Sequence, residues 1–276
     1  MRILISPNPS RDENFKVTRS AAEVLSGAGA EVMLPDFVKS ECDLSNITYY
    51  TGDIHDYKPD IVVAVGGDGT LLKAAREAVC CGSPVIGINL GNLGFLTGID
   101  PCGIDKLKML LTGEYIVEKR MMLELKILRE NEIIYSETAL NDCVISRGLK
   151  MRTIPLSLFS DCNEIKAFYG DGVVIATPTG STAYSMSAGG PIVDPDAECI
   201  VVTPICPHAL YAKSFVLEKG RAVRVNIGSL EQRDAWLSAD GLDAISLKTG
   251  DIVTVKKSEK AARIIKLESG GFFERL

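Results

Sequence analysis

The sequence predicts two parts: an N-terminal α/β domain with a parallel, Rossmann-like sheet, and a mostly β, sandwich-like C-terminal domain. Three observations carry this. Up to about residue 118, short apolar runs alternate with segments of helical spacing, the pattern of a parallel α/β sheet. Beyond it, short runs of β character follow one another with turns between them and a single convincing helix. Hydrophobic residues make up 46% of 276 residues, enough to bury a sizeable core. The expected domains are 1–118 and 119–276, with the tail 261–276 returning to the first domain, and no Gly/Ser-rich linker joins them.

In chain order, residues 3–6 form a strand that ends in a proline-bearing turn. Residues 14–28 have helical spacing, with Val17, Ala21, Val24 and Leu25 on one face and Gly29 as the stop. A second strand covers 31–34. The run IVVAV at 61–65 is apolar throughout, as a strand covered on both faces requires. A glycine turn, a helix over 70–81, a strand over 84–89 and a helix over 104–111 complete the first part. Strands are expected at 122–128, 133–136, 143–146, 154–159, 165–169 and 173–176, then at 200–203, 222–227, 235–239 and 252–255, with the one helix starting near Ser181.

Composition narrows the function classes. A net charge of −6 and no basic patch argue against nucleic acid as a partner. No apolar run approaches the roughly twenty residues of a membrane helix, and the N-terminus reads as a strand and turn rather than a signal peptide. Eight cysteines without a CxxC pair, and only two histidines, point away from a zinc cluster and towards reduced structural thiols. A cytoplasmic protein is expected.

Gly66-Gly67-Asp68-Gly69-Thr70 follows the all-apolar strand. Gly66, Gly67 and Gly69 let backbone approach a ligand and reach angles that a Cβ disfavours. The turn lies where open α/β sheets bind ligands, and the helix after it offers free N–H groups to phosphate. Asp68 has the wrong charge to hold phosphate. It fits a base that accepts a hydroxyl proton, or a helix cap. The turn lacks the GK[ST] ending of a Walker loop and the GxGxxG spacing of a dinucleotide fingerprint.

After the next strand, Asn89 opens a second glycine-bearing loop that carries Phe95, able to stack on a base or to fill a core. Asn141-Asp142 pairs an amide with a carboxylate, suited to ribose hydroxyls or to a turn. Asp171-Gly172 opens a segment in which Thr177, Thr179, Ser181, Thr182, Ser185 and Ser187 crowd hydroxyls around one turn, with the Tyr184 ring among them. Such crowding favours a ligand site, where a phosphate donor meets a hydroxyl-bearing acceptor.

These strings resemble the bacterial NAD kinases over nearly the whole chain. The resemblance rests on GGDGT at 66–70, NLGFLT at 92–97, LND at 140–142, DGVVIATPTGSTAYSMSAGGP at 171–191, TPICPHAL at 203–210 and the late Asp240-Gly241. It implies a two-domain NAD kinase fold and transfer of the γ-phosphoryl group of ATP, with Mg²⁺, to the 2′-hydroxyl of the adenosine ribose of NAD. By that similarity Asp68 is the base and Gly69 lies against the phosphates, within the turn of Gly66, Gly67 and Thr70 and beside Asn89 and Phe95. Asn141 and Asp142 hold the acceptor's ribose, and Asp171 meets the nicotinamide end. Thr182, Ala183, Tyr184, Ser185, Met186 and Ser187 line the adenine pocket. Lys73 and Arg152 are cations for phosphate or for surface ion pairs. Asp142 stands where many members carry Glu, Tyr169 where a basic residue occurs, and Leu242 where a polar one is common; His208 reads as a packed structural residue. Members form homodimers or homotetramers, and the metal is held largely by the nucleotide, with no protein ligand named. A lipid kinase would share the glycine turn but needs a large apolar pocket. A dinucleotide sensor would keep the pocket and lack Asp68.

Overall fold

The computed structural model describes residues 1–91, 94–150, 152–209 and 211–267. Asn92, Leu93 and Leu210 of the strings above, and 268–276 of the tail, lie outside the described residues. The chain divides into two units, Met1–Lys119 with Ala262–Leu276, and Arg120–Ala261.

The first unit holds a parallel sheet of β1 (Arg2–Pro7), β2 (Glu31–Pro35), β3 (Thr48–Tyr50), β4 (Ile61–Gly66) and β5 (Val85–Asn89). The order is β5-β4-β1-β2-β3, with Ile3 on Ile61, Arg2 on Glu31 and Val62 on Val85. Ile3, Ile5, Val32, Ile61, Val63, Val65 and Ile86 pack in one cluster with Ala21, Ala22 and Leu25 of helix α1 (Lys16–Gly27). Leu4, Val62 and Ala64, on alternate positions, are equally buried, so both faces are covered. This is why these strands read as unbroken apolar runs. The order reverses between β1 and β4, and the loops leaving those two strands open a crevice at the carboxyl edge, the place where such sheets take ligands. Ile264 pairs with Val85, adding a strand on the far side of β5.

Helix α2 spans Asp68–Ala78 and buries Leu71, Ala74, Ala75 and Ala78. The helix expected at 104–111 is a 3₁₀ segment, Pro101–Lys108, followed by one α turn, α3 (Met109–Thr112). Pro101 starts it and Gly103 weakens an α-helical continuation. Strand β3 escaped the sequence because three residues are too short for a period.

The second unit is a sandwich of antiparallel strands. Its elements are the strands β6 (Ile116–Arg129), β7 (Glu132–Ala139), β8 (Asp142–Arg147), β9 (Ile154–Ser160), β10 (Asn163–Gly170) and β11 (Gly172–Ala176), helix α4 (Tyr184–Ser187), and the strands β12 (Cys199–Ile205), β13 (Phe215–Glu218), β14 (Val223–Ile227), β15 (Ala235–Ala239), β16 (Ile245–Leu247) and β17 (Ile252–Lys266). One sheet runs β13-β12-β11-β8-β15-β16; the other pairs β10, β9, β14 and β17 in that order, with β6 on β17 and β7 on β6. Ile145, Val173, Ile175 and Val202 of the first sheet share a cluster with Leu123, Leu125, Leu156, Leu158 and Val225 of the second. Ile154, Leu156 and Leu158 are buried while Pro155 and Ser157 are not, the period of two of a half-buried strand. The helix expected near Ser181 is a 3₁₀ turn, Thr179–Thr182, followed by the four-residue α4. Among the described residues no helix is long and apolar enough to cross a membrane.

Candidate active site

In the first unit, β4 delivers the chain at the carboxyl edge and α2 starts at Asp68. The Gly67 carbonyl accepts from Thr70 N at 2.9 Å and Leu71 N at 3.1 Å. The glycines were expected to supply unusual backbone angles, and that expectation is corrected. Gly67 has φ −102° and ψ −169°, and neither Gly66 nor Gly69 has a positive φ. What Gly66 and Gly67 supply is space, whereas a Cβ on Gly69 would meet nothing within 4 Å. A Cβ on Gly66 would stand 2.2 Å from Thr70 Oγ1, and one on Gly67 would stand 3.2 Å from the Arg11 guanidinium.

The Asp68 carboxylate points back to the loop after β5. Oδ2 accepts from Phe95 N at 2.8 Å, and Oδ1 accepts from Leu96 N at 3.2 Å and Thr97 N at 3.1 Å. Three consecutive amides thus fix its orientation and take three of the carboxylate's roughly four lone-pair sites, leaving one on Oδ2. Gly94 permits this approach: a Cβ there would sit 2.1 Å from Asp68 Oδ1. The loop is tied to the glycine turn through Leu90 N on the Gly66 carbonyl at 2.8 Å. Asn89, buried, donates its side-chain N–H to the Gly91 carbonyl at 2.9 Å.

Beside Asp68 lies a cavity of about 450 Å³ lined by Asn8, Arg11, Gly67, Asp68, Gly69, Thr70 and Gly94. The start of α2 faces it, so helix N–H groups and their partial positive charge border the space. Asn8 donates to Thr70 Oγ1 at 3.0 Å. Arg11 is exposed and, among the described residues, has no carboxylate partner. The sequence reading missed Asn8 and Arg11. The signal was their place in the turn after β1, beside the turn after β4. Lys73 is one turn further along α2, exposed and 4.0 Å from Glu77, and it does not line this cavity.

In the second unit a related device appears. Asp240, at the end of β15, accepts from Leu140 N at 2.7 Å, Asn141 N at 2.8 Å and Asp142 N at 3.0 Å. Asp240 takes a left-handed φ of 49° to do so, with Gly241 following at 73°. Thr177, after β11, presses on the same corner. Its N–H donates to the Asn141 carbonyl at 2.9 Å and its hydroxyl to the Leu140 carbonyl at 2.6 Å. Gly180 fits against Asn141, where a Cβ would be 2.1 Å from its carbonyl oxygen.

This leaves two polar groups of the corner unmet. Asn141 Oδ1 is buried and, among the described residues, no donor reaches it. The Asp142 side chain is 6% exposed. Burial, and the Asp240 charge, push its carboxyl up to about 7. A buried acceptor without a donor is costly unless a ligand supplies one.

The other expected residues are less uniform. Ser185 is buried with its hydroxyl 3.2 Å from Thr203 Oγ1. Ser181 Oγ accepts from Val193 N at 3.0 Å, and Thr182 Oγ1 donates to the Thr179 carbonyl at 3.3 Å. Much of the hydroxyl crowding therefore fastens the turn to itself. Tyr184, Met186 and Ser187 are exposed and Ala183 is half-buried. Asp171 accepts from Arg147 Nε at 2.6 Å, a partner that the sequence reading did not name. Tyr169 is exposed, and its carbonyl accepts from His208 N at 2.6 Å. Arg152 is exposed and donates to Gln232 Oε1 at 3.4 Å.

Residues 3–115 match the family model described as the ATP-NAD kinase N-terminal domain, and 140–267 match the ATP-NAD kinase C-terminal domain. An NAD kinase of Acetivibrio thermocellus is 38% identical, covering 100% of this chain and 96% of the relative. One of Caldanaerobacter subterraneus subsp. tengcongensis is also 38% identical, covering 100% and 97%. Among solved structures, yeast NADH kinase complexed with NADH superposes with a TM-score of 0.89 at 28% identity, covering 100% of this chain and 85% of that one. An NAD kinase from Archaeoglobus fulgidus in complex with ATP gives a TM-score of 0.76 at 27% identity, with 100% and 97% covered.

Proposed function

The chain belongs to the NAD kinase family and has its ATP-dependent activity, and from this premise we propose that it phosphorylates the 2′-hydroxyl of the adenosine ribose of NAD, with Asp68 as the base. The single observation that carries this assignment is the Asp68 carboxylate, held by three amides at the edge of a cavity lined by the exposed Arg11. Asp68 takes the hydroxyl proton as the ribose oxygen attacks the γ-phosphorus. The bond from that phosphorus to the bridging oxygen breaks, and ADP leaves. Little covalent work is asked of the protein; positioning and charge neutralisation dominate such transfers.

In this reading the amides of Gly67 and Gly69, the Thr70 hydroxyl, the start of α2 and Arg11 hold the phosphates. Gly66 and Asn89 shape the turn, and the Phe95 amide aims Asp68. Asn141 Oδ1 and the Asp142 carboxylate accept from the dinucleotide's hydroxyl or amide donors. Asp142 does so from shorter reach than a glutamate. Thr182, Ala183, Tyr184, Met186 and Ser187 lie along the adenine, with Ser185 fixing their turn. Asp171, held by Arg147, and Tyr169 face the nicotinamide end. Lys73 and Arg152 contribute long-range positive charge. A divalent ion such as Mg²⁺ would be held largely by the substrate phosphates, as Mg²⁺ commonly is; among the described residues the cavity is lined by one carboxylate, Asp68, which leaves room for an ion carried in by the nucleotide. It would neutralise charge on the triphosphate. We place the enzyme in the cytoplasm as a homodimer or homotetramer; its eight cysteines are free thiols, in keeping with a reducing compartment.

The test is NADP formation by purified protein, read with an NADP-specific dehydrogenase. Turnover is expected only with NAD, ATP and a divalent ion together. Asp68→Asn is expected to lower it by about 10²- to 10⁴-fold, the usual worth of a general base. Near-full activity of that variant would remove Asp68 from the role.

A further inference from the structure

One side chain, Asn8, joins the turn after β1 to the turn after β4. Its amide oxygen accepts from Ser10 N at 3.0 Å and from the Ser10 hydroxyl at 2.7 Å. A backbone N–H can only donate, so the oxygen must face Ser10 and the amide nitrogen must face the other way. There Nδ2 donates to Thr70 Oγ1 at 3.0 Å. The backbone of Asn8 is tied down as well. Its N–H donates to the Val65 carbonyl at 2.9 Å, and its carbonyl accepts from Arg11 N at 3.1 Å and Asp12 N at 3.0 Å.

A hydroxyl that accepts from Nδ2 keeps its own proton for another acceptor. Among the described residues no carbonyl or carboxylate takes the Thr70 proton. The Thr70 N–H is spent on the Gly67 carbonyl, so the hydroxyl is the donor that this residue can offer a ligand. Both Asn8 and Thr70 line the phosphate cavity. Left to itself, a threonine hydroxyl in a helix tends to bond a backbone carbonyl one turn back. The amide of Asn8 holds it from that choice.

We propose that Asn8 is a positioning residue for the transfer: it engages the Thr70 hydroxyl as an acceptor, so that the hydroxyl proton is presented to the phosphate cavity. The proposal rests on the kinase reading above and adds a residue that acts on phosphate only through another. The bonds of Asn8 to Val65, Arg11 and Asp12 are backbone bonds. They survive substitution at residue 8, so the side chain can be changed while the turn that carries Arg11 keeps these ties.

Asn8→Asp reverses the polarity at nearly the same size. A carboxylate only accepts, so it still takes Ser10 N, and it draws the Thr70 proton to itself and out of the cavity. The new charge also repels phosphate. Asn8→Asp and the neutral Asn8→Ala are therefore each made in the wild type and in Thr70→Val, as double-mutant cycles. Calorimetry reads inorganic triphosphate and NAD binding, and NADP formation reads KM for ATP and for NAD. Thr70→Val is expected to weaken triphosphate binding about tenfold, the scale of one hydrogen bond to a charged group. In the wild type Asn8→Asp is expected to weaken it about tenfold or more, and Asn8→Ala about threefold. In Thr70→Val, Asn8→Ala should add almost nothing and the Asn8→Asp effect should shrink about threefold or more. KM for ATP should follow the same pattern, while NAD affinity and KM for NAD change less than about twofold. The same factors with and without the Thr70 hydroxyl would overturn the proposal, since bare charge or a loosened turn would then explain them. So would unchanged triphosphate binding in folded variants, or NAD binding weakened as much as triphosphate binding. A wild type that binds triphosphate and makes no NADP would remove the kinase reading, and the cycles in triphosphate affinity would still decide the role of Asn8.

Discussion

Asp68 and Asp240 are the same device in two settings. Each is a carboxylate at the end of an element, and each accepts from three consecutive backbone amides of a distant loop. Around Asp68 the result is a cavity lined by Arg11, which has no carboxylate partner among the described residues. Around Asp240 the result is a closed corner that carries a second carboxylate, Asp142, buried with no cation partner among the described residues. The difference teaches that one hydrogen-bond pattern can aim a reactive group or can hold a binding surface in place. What decides is the field beside it: Arg11 in the first case, another aspartate in the second.

The largest effect expected of breaking this comparison is on the aim of Asp68. Gly94→Ala places a Cβ where the carboxylate stands. Turnover should fall about a hundredfold, the scale of a misplacement near 1 Å, with ATP and NAD affinities within about threefold; initial rates and calorimetry would check it. Next, Asp240→Ala strips three amides of their acceptor. A loss of about 2 kcal/mol in chemical denaturation is expected, together with weaker NAD binding; an unchanged midpoint would show that water replaces the carboxylate at no cost. Removing the cation, Arg11→Ala, should raise KM for ATP about tenfold, the scale of one charged hydrogen bond, and leave KM for NAD nearly as it was.

The smallest effect is a pH dependence. Burial, and the Asp240 charge, push the Asp142 carboxyl from its ordinary 3.8 up to about 7. The folded protein therefore keeps a proton there that the unfolded chain releases. Stability from this group is fully present below pH 3.8 and is lost as pH rises to about 7. Asp142→Asn has no such proton. The wild type should lose stability relative to the variant between pH 5 and pH 7 and run parallel to it above pH 8, as thermal melts would record. A constant difference across that range would mean that Asp142 is ionised throughout.

The parts of this molecule that were legible in the sequence are those that depend on local order. The run IVVAV followed by glycines could only be a covered strand and a tight turn, and both stand where expected. The β character of the second half was legible from its short runs, and the antiparallel sheets carry it. Contributions from far along the chain were not. Arg11 acquires meaning only because β1 lies beside β4, and Asp240 reaches a loop 100 residues away. Nor can a sequence divide hydroxyls that fasten a turn, as Ser185 does on Thr203, from those that face a ligand. The four-residue α4 and the 3₁₀ turns were hidden by their length.

The most direct test sets Asp68→Asn beside Asn141→Ala and measures kcat and the NAD dissociation constant for both. If the first unit aims the reacting carboxylate and the second holds the dinucleotide, Asp68→Asn loses kcat by at least a hundredfold and keeps its NAD affinity. Asn141→Ala, which removes the buried acceptor Oδ1, then loses NAD affinity by about tenfold and keeps kcat. The same loss in both parameters for both variants would contradict the account.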